Sequence, residues 1–211
     1  MEKADIDRAI KKSVIQALAA KHQYYIPTAV SNRHIHLSQD VMEILFGRGY
    51  VLRKLKLLSQ PDQYACEEKV TLVGTKGSIK GIRVLGPVRP ETQVEITVTD
   101  SFVLGIPPVV RMSGDVKGTP GCRLAGPKGE YDLSYGVIVS RRHLHASSEQ
   151  AAWFGLKNGD VISVRKAGVR PVVLEDVVIR AGGSHDLELH IDTDEANAAV
   201  IKNGDLLELI K

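Results

Sequence analysis

The chemistry available to this sequence is concentrated in its histidines. There are seven, and four of them fall into two Arg-His-x-His units, Arg33-His34-Ile35-His36 and Arg142-His143-Leu144-His145. Residues i and i+2 on an extended chain point to the same side, so each unit presents two imidazoles together while Ile35 and Leu144 turn to the core. Neutral imidazole is a good zinc ligand near neutral pH, and a site of two or three protein ligands leaves positions open for substrate. A single His-x-His serves equally well as a hydrogen-bonding surface pair. Two copies inside matching stretches, residues 30–38 and 139–147, argue for metal instead. Glu95 and His190 strengthen the case, because they lie on the two paired segments of a fainter repeat, residues 94–98 and 187–191. Taken alone, Glu95 reads as a solvated strand residue. His22, at a helix end, and His185, in a Gly-Gly-Ser-His loop, are expected to be exposed and uninvolved.

Several arginines stand near these units. Arg33, Arg141 and Arg142 either bind an anion or pair with a neighbouring carboxylate, and structural pairing is the expectation. Arg89 is more pointed: flanked by Pro87 and Pro90, it sits on stiff backbone just ahead of the strand carrying Glu95, where it could aim at an anion on the metal. A Gly-rich stretch over residues 111–121 either offers backbone amides to phosphate or is an ordinary loop joining two barrels, and it lacks Walker spacing. Cys66 and Cys122 read as buried apolar filler. No Ser-His-Asp or Cys-His pattern is evident, so an acyl-enzyme would lack an obvious carrier and direct transfer is preferred; a histidine or Glu95 acting as base instead of ligand stays open.

The elements that must position these groups are short. The chain has 211 residues, 43% hydrophobic, with 28 basic and 25 acidic residues spread without blocks of like charge. That distribution disfavours nucleic acid or a membrane surface as the main partner. No apolar stretch approaches the ~18 residues of a membrane span, and two cysteines fit a reducing, cytoplasmic setting. Residues 5–20 place Ile6, Ile10, Val14 and Leu18 four apart, which predicts an amphipathic helix. Thereafter short apolar runs alternate with Gly, Pro, Asn and Asp, predicting a mainly β fold of small barrels or sandwiches. A short helix is expected after each His-x-His: Ser147 with Gln150 forms a capping box, and Asp40 lies in the first turn after Ser38.

Residues 30–38, 86–89, 111–114, 118–121, 142–145 and 190–199 resemble the PduL-type phosphotransacylases, the phosphate propanoyltransferase family, and the likeness runs from about residue 26 to the C-terminal region. The resemblance implies two small β-barrels, residues 23–32 plus 141–211 and residues 33–140, preceded by the helix of residues 1–22, with a two-zinc site between the barrels. It implies the reaction of a short-chain acyl-CoA, propionyl-CoA or acetyl-CoA, with phosphate to give acyl phosphate and CoA. One zinc would take His34 and His36, the other Glu95, His143, His145 and His190. Arg89 would hold phosphate, and Ser31, Lys56, Arg83, Leu85, Phe102, Ser113 and Asn197 would surround coenzyme A. The N-terminal helix resembles encapsulation peptides that dock on shell proteins of bacterial microcompartments, such as those of propanediol or ethanolamine degradation. The other reading of that helix is packing on its own barrel or on a dimer partner. Two rival functions remain: a two-metal hydrolase of thioesters or phosphoesters, and a metal-stabilised binding module without catalysis.

Overall fold

The computed structural model describes residues 3–183 and 185–210, with backbone alone over residues 3–8. In chain order the elements are α1 (Lys3–Ala19), β1 (Tyr25–Ser31), β2 (His34–His36), α2 (Gln39–Phe46), β3 (Lys54–Leu57), β4 (Tyr64–Val73), β5 (Ser78–Gly86), β6 (Gln93–Ile96), α3 (Val98–Leu104), β7 (Val110–Arg111) and β8 (Cys122–Ala125). They continue with β9 (Glu130–Leu133), β10 (Val137–Ser140), β11 (His143–Ala146), α4 (Ser148–Trp153), β12 (Val161–Lys166), β13 (Val172–Ala181), β14 (Glu188–Asp192), α5 (Thr193–Ala199) and β15 (Leu206–Ile210). This is the mainly β architecture that the short apolar runs predict. Two compact units divide the chain: a barrel unit, made of the segments up to Ser31, Arg142–Ile191 and from Glu195 onward, and a sheet unit of Asn32–Arg141 with Asp192–Asp194. No helix among the described residues is long and apolar enough to cross a membrane.

In the barrel unit six strands close in the order β1-β14-β11-β13-β12-β15. Leu144, the residue between the two histidines, is buried with Ile26, Phe154, Val164, Ile179, Leu189 and Leu207. Because side chains alternate with period two, burying Leu144 in that core turns His143 and His145 together to the other side, and a one-residue slip would exchange the sets. Truncating such a residue to alanine costs about 2–5 kcal/mol, which is the energetic pin on the register. The expected capping box forms at α4: the Gln150 amide N–H donates to Ser147 Oγ at 3.1 Å and the Ser147 N–H to Gln150 Oε1 at 2.9 Å.

Helix α1 packs on this barrel, but not by the predicted stripe. Ile15 and Ala19 enter the core, while Ile10 and Val14 are 57% and 50% exposed and Leu18 is half-buried. The Ile6 side chain lies outside the described residues. Lys12 shares the packed side, its Nζ 5.8 Å over the Trp153 ring and 3.8 Å from Glu149 on α4. Positions 12, 15 and 19 are themselves spaced three and four apart, and the small Ala19 lets the helix approach closely, so contact with α4 and β1 selects a face that hydropathy alone ranks second.

The sheet unit has nine strands, in the path β7-β10-β6-β2-β5-β4-β8-β9 with β3 paired to β4. It curls into a half-barrel instead of closing as a second full barrel, with the two-residue β7 at one end of the path and β9 at the other. Ile35 lies between Val84 on β5 and Val94 on β6 and is fully buried with them. The same alternation then puts His34 and His36 together on the opposite side. Helix α2 follows, burying Val41, Met42, Leu45 and Phe46. Its N-cap, Ser38, makes no side-chain cap bond; its N–H donates to Thr92 Oγ1 at 2.9 Å, tying the helix start to the approach to β6.

Two histidine-centred candidate metal sites

Each His-x-His strand lies between one parallel and one antiparallel neighbour, and the antiparallel neighbour supplies the third candidate ligand. In the sheet unit β2 runs antiparallel to β6 with His34 opposite Glu95 and His36 opposite Gln93, and parallel to β5 with His34 beside Arg83. In the barrel unit β11 runs antiparallel to β14 with His143 opposite His190 and His145 opposite Glu188, and parallel to β13. Each unit thus holds a three-residue group whose ligand atoms lie within 4.8 Å of one another: His34, His36 and Glu95 in one, His143, His145 and His190 in the other. The family resemblance implies Glu95 at the ion of His143, His145 and His190; the structure groups it with His34 and His36.

The local geometry fits a cation. His34 Nδ1 lies 2.8 Å from the Asn32 carbonyl oxygen and donates to it, which leaves a lone pair on Nε2. That Nε2 is 3.6 Å from Glu95 Oε2, so two acceptors face each other in a buried place where only a proton or a metal ion between them is favourable. Burial holds His36 well below the ordinary histidine value, with the charges of His34 and Arg89 acting in the same direction, so its imidazole is neutral and ready to bind metal. In the barrel unit His143 Nε2 and His145 Nε2 approach to 3.1 Å. Burial first, then His143, His190, His185 and Arg180, push His145 down to about 2. One buried ring nitrogen of His145, Nδ1, has no hydrogen-bond partner among the described residues. Nitrogen-rich and with three candidate protein ligands each, both groups match the donor set of zinc with a coordination position to spare.

His185 departs from the expectation of an exposed bystander. It is half-buried with its ring centroid 4.3 Å from that of His145, and burial lowers its pKa. It stands in the connection between β13 and β14. His22 is exposed, as expected.

The structure places Arg89 beside the sheet-unit group. Its backbone N–H donates to the Leu37 carbonyl at 2.9 Å, its guanidinium reaches Ser113 Oγ at 3.4 Å, and its charge is felt by His36. Of the residues expected around coenzyme A, Ser113 therefore joins this group. Arg83 lies in register beside His34, its Nη1 donating to the carbonyls of Cys66 and Glu67 at 2.8 and 3.0 Å. Lys56, exposed, and Leu85, half-buried, share one cross-strand row through Ala65. Phe102 on α3 is 70% exposed. Ser31, half-buried at the end of β1, and Asn197, exposed on α5, belong to the barrel unit.

Arg33 pairs with Asp100 at 3.2 Å and Arg142 with Glu195 at 2.7 Å, the structural roles expected of them. The Arg141 N–H donates to the Arg111 carbonyl at 2.8 Å. Burial raises Cys66 to about 11 and Cys122 to about 12, so both are thiols at neutral pH and neither is a nucleophile. The Gly-rich stretch lies wholly within the sheet unit, between β7 and β8, and so does not join the two units.

Sequence reasoning missed two residues. Gln93 is 2% exposed and donates from Nε2 to Glu95 Oε1 at 2.7 Å and to Ser113 Oγ at 2.8 Å, while its Oε1 accepts from the Gly114 N–H at 2.7 Å. Glu188 Oε2 lies 3.0 Å from His190 Nε2. Both stand two residues before the third candidate ligand on the same strand, so period two was the signal that could have found them.

Comparison with known proteins converges on one family. A family model described as phosphate propanoyltransferase matches residues 27–202. The chain is 50% identical over 187 residues to a phosphate propanoyltransferase of Thermotoga maritima, covering 88% of this chain and 89% of that one. It is 47% identical over 188 residues to one of Rhodopseudomonas palustris, with 89% and 83% covered, and 41% identical over 204 residues to one of Sebaldella termitidis, with 97% and 96% covered.

Proposed function

Because the chain belongs to the phosphate propanoyltransferase family of acyltransferases, we propose that it interconverts propionyl-CoA or acetyl-CoA plus phosphate with acyl phosphate plus CoA, using two zinc ions per chain. His34, His36 and Glu95 hold one ion and His143, His145 and His190 the other. The observation that carries this reading is the facing pair of acceptors, His34 Nε2 and Glu95 Oε2 at 3.6 Å, beside a guanidinium suited to phosphate.

A phosphate oxygen attacks the thioester carbonyl carbon, a tetrahedral species forms, and the carbon–sulfur bond breaks to release CoA as the thiolate. Arg89 binds two phosphate oxygens and orients the attacking one; the Arg89–Ser113 contact limits its swing. When bound, zinc supplies Lewis-acid stabilisation of the charge that develops at the carbonyl oxygen or the departing sulfur. Glu95 and the imidazoles serve as ligands, and the cysteines, held as thiols, take no part, so transfer is direct. Ser31, Lys56, Arg83, Leu85, Phe102, Ser113 and Asn197 form the coenzyme A contacts in this proposal. The exposed residues Ile10 and Val14 of α1 are the part of the helix open to a microcompartment shell protein.

The test is an assay of CoA release from acetyl-CoA and propionyl-CoA, with and without phosphate and with and without a chelator. Release that requires phosphate and stops on chelation supports the proposal. Release in buffer alone identifies a hydrolase, and activity indifferent to chelation removes the metal.

A further inference from the structure

Four residues, not three, make up each histidine site. Two antiparallel strands bring them into register as a rectangle: His34, His36, Gln93 and Glu95 in the sheet unit, and His143, His145, Glu188 and His190 in the barrel unit. In each the fourth corner touches the third ligand from two residues away, Gln93 Nε2 on Glu95 Oε1 at 2.7 Å and Glu188 Oε2 on His190 Nε2 at 3.0 Å. The two corners differ in type, and the difference matches what each partner lacks. A ligating carboxylate can only accept, and Gln93 offers it a donor. A ligating imidazole has one N–H left to give, and Glu188 offers it an acceptor.

We infer that Gln93 and Glu188 are the positioning residues of the two sites, each chosen to hold the third ligand in its binding orientation. Gln93 has no freedom to do otherwise. The Gly114 N–H can only donate, so it fixes the amide oxygen of Gln93 toward itself and turns the NH₂ group to Glu95 and Ser113. With Oε1 occupied, Glu95 presents Oε2 to His34. The same amide ties Glu95 to Ser113, which Arg89 also contacts, so the carboxylate and the anion-binding arginine share one frame. At the other site, His190 donates Nε2–H to Glu188, which fixes its tautomer and leaves Nδ1 as the nitrogen that binds a cation.

The inference rests on the zinc reading above, and the experiment separates the two. Zinc dissociation constants of the full chain are measured by competition with a chromophoric chelator for wild type, Gln93→Leu, Gln93→Glu, Glu188→Leu and Glu188→Gln, with melting of each metal-free protein recorded alongside. Loss of an outer partner of a metal ligand weakens binding by about 10–100-fold. Wild type should bind two ions, and each leucine variant should keep one at full strength and bind the other about 10–100-fold more weakly. The near-isosteric exchanges should split. Glu188→Gln keeps an acceptor for His190 and recovers most of the affinity, whereas Gln93→Glu sets two carboxylates together and falls below Gln93→Leu. A packing role would show as lowered melting with no such split. Wild-type protein that binds no zinc would overturn both readings; wild type that binds two, with all four variants binding as tightly, would overturn the positioning role alone.

Discussion

Arg89→Ala separates a phosphate-binding arginine from a structural one, because the geometry predicts very different sizes for the two effects. The bond from its guanidinium to Ser113 is long at 3.4 Å, and its backbone bond to Leu37 survives replacement by alanine. A hydrogen bond of that length contributes about 1 kcal/mol or less to folding, a shift of a few degrees in melting temperature. Removing one preorganised cationic donor from a developing negative charge instead costs about 3 kcal/mol, on the order of 100-fold in rate, since water cannot replace it at the moment of reaction. Initial rates over a range of phosphate and acetyl-CoA concentrations, with a melting curve on the same preparation, give both quantities. The expected result is a raised KM for phosphate and a turnover lower by about 100-fold, with melting nearly unchanged. Arg89→Lys should recover only part, because a point charge cannot reproduce the bidentate fork. Wild-type phosphate kinetics together with a large fall in melting temperature would refute the reasoning and return Arg89 to a structural role.

Two further outcomes follow from burial. Ile15→Ala should destabilise the protein by about 2–4 kcal/mol in chemical denaturation, because Ile15 lies in the barrel core, whereas Ile10→Ala and Val14→Ala, on the exposed side of α1, should change it by less than about 0.5 kcal/mol. Stability of the metal-free protein should fall as pH drops below about 6.5, the ordinary histidine value, since His145 folds neutral with a pKa of about 2 and the unfolded chain takes up the proton first. Each such histidine contributes about 1.4 kcal/mol per pH unit over that window, with the full contribution present above it, and His145→Gln should flatten the slope seen in melts between pH 7 and pH 5.

The period-two spacing of His34 with His36 and of His143 with His145 was legible in the chain, because a strand needs only its own dihedrals and one buried residue between the pair to present both imidazoles together. Ile35 and Leu144 are those residues, and both lie in cores. The repeat, the short helices after each unit, the mainly β class and the stiff placement of Arg89 are local in the same sense. Which residue stands across from each histidine is not local. Glu95 meets His34, and His190 meets His143, through sheet order and register, which depend on how distant apolar runs pack. Gln93 and Glu188 lie two residues before Glu95 and His190, so their spacing is local, but only the register that sets them opposite His36 and His145 shows which polar strand residues belong to a site. His185 came to rest against His145 by the path of a loop, and α1 turned Ile15 and Ala19 inward because contact with the barrel, and not hydropathy, chose its face.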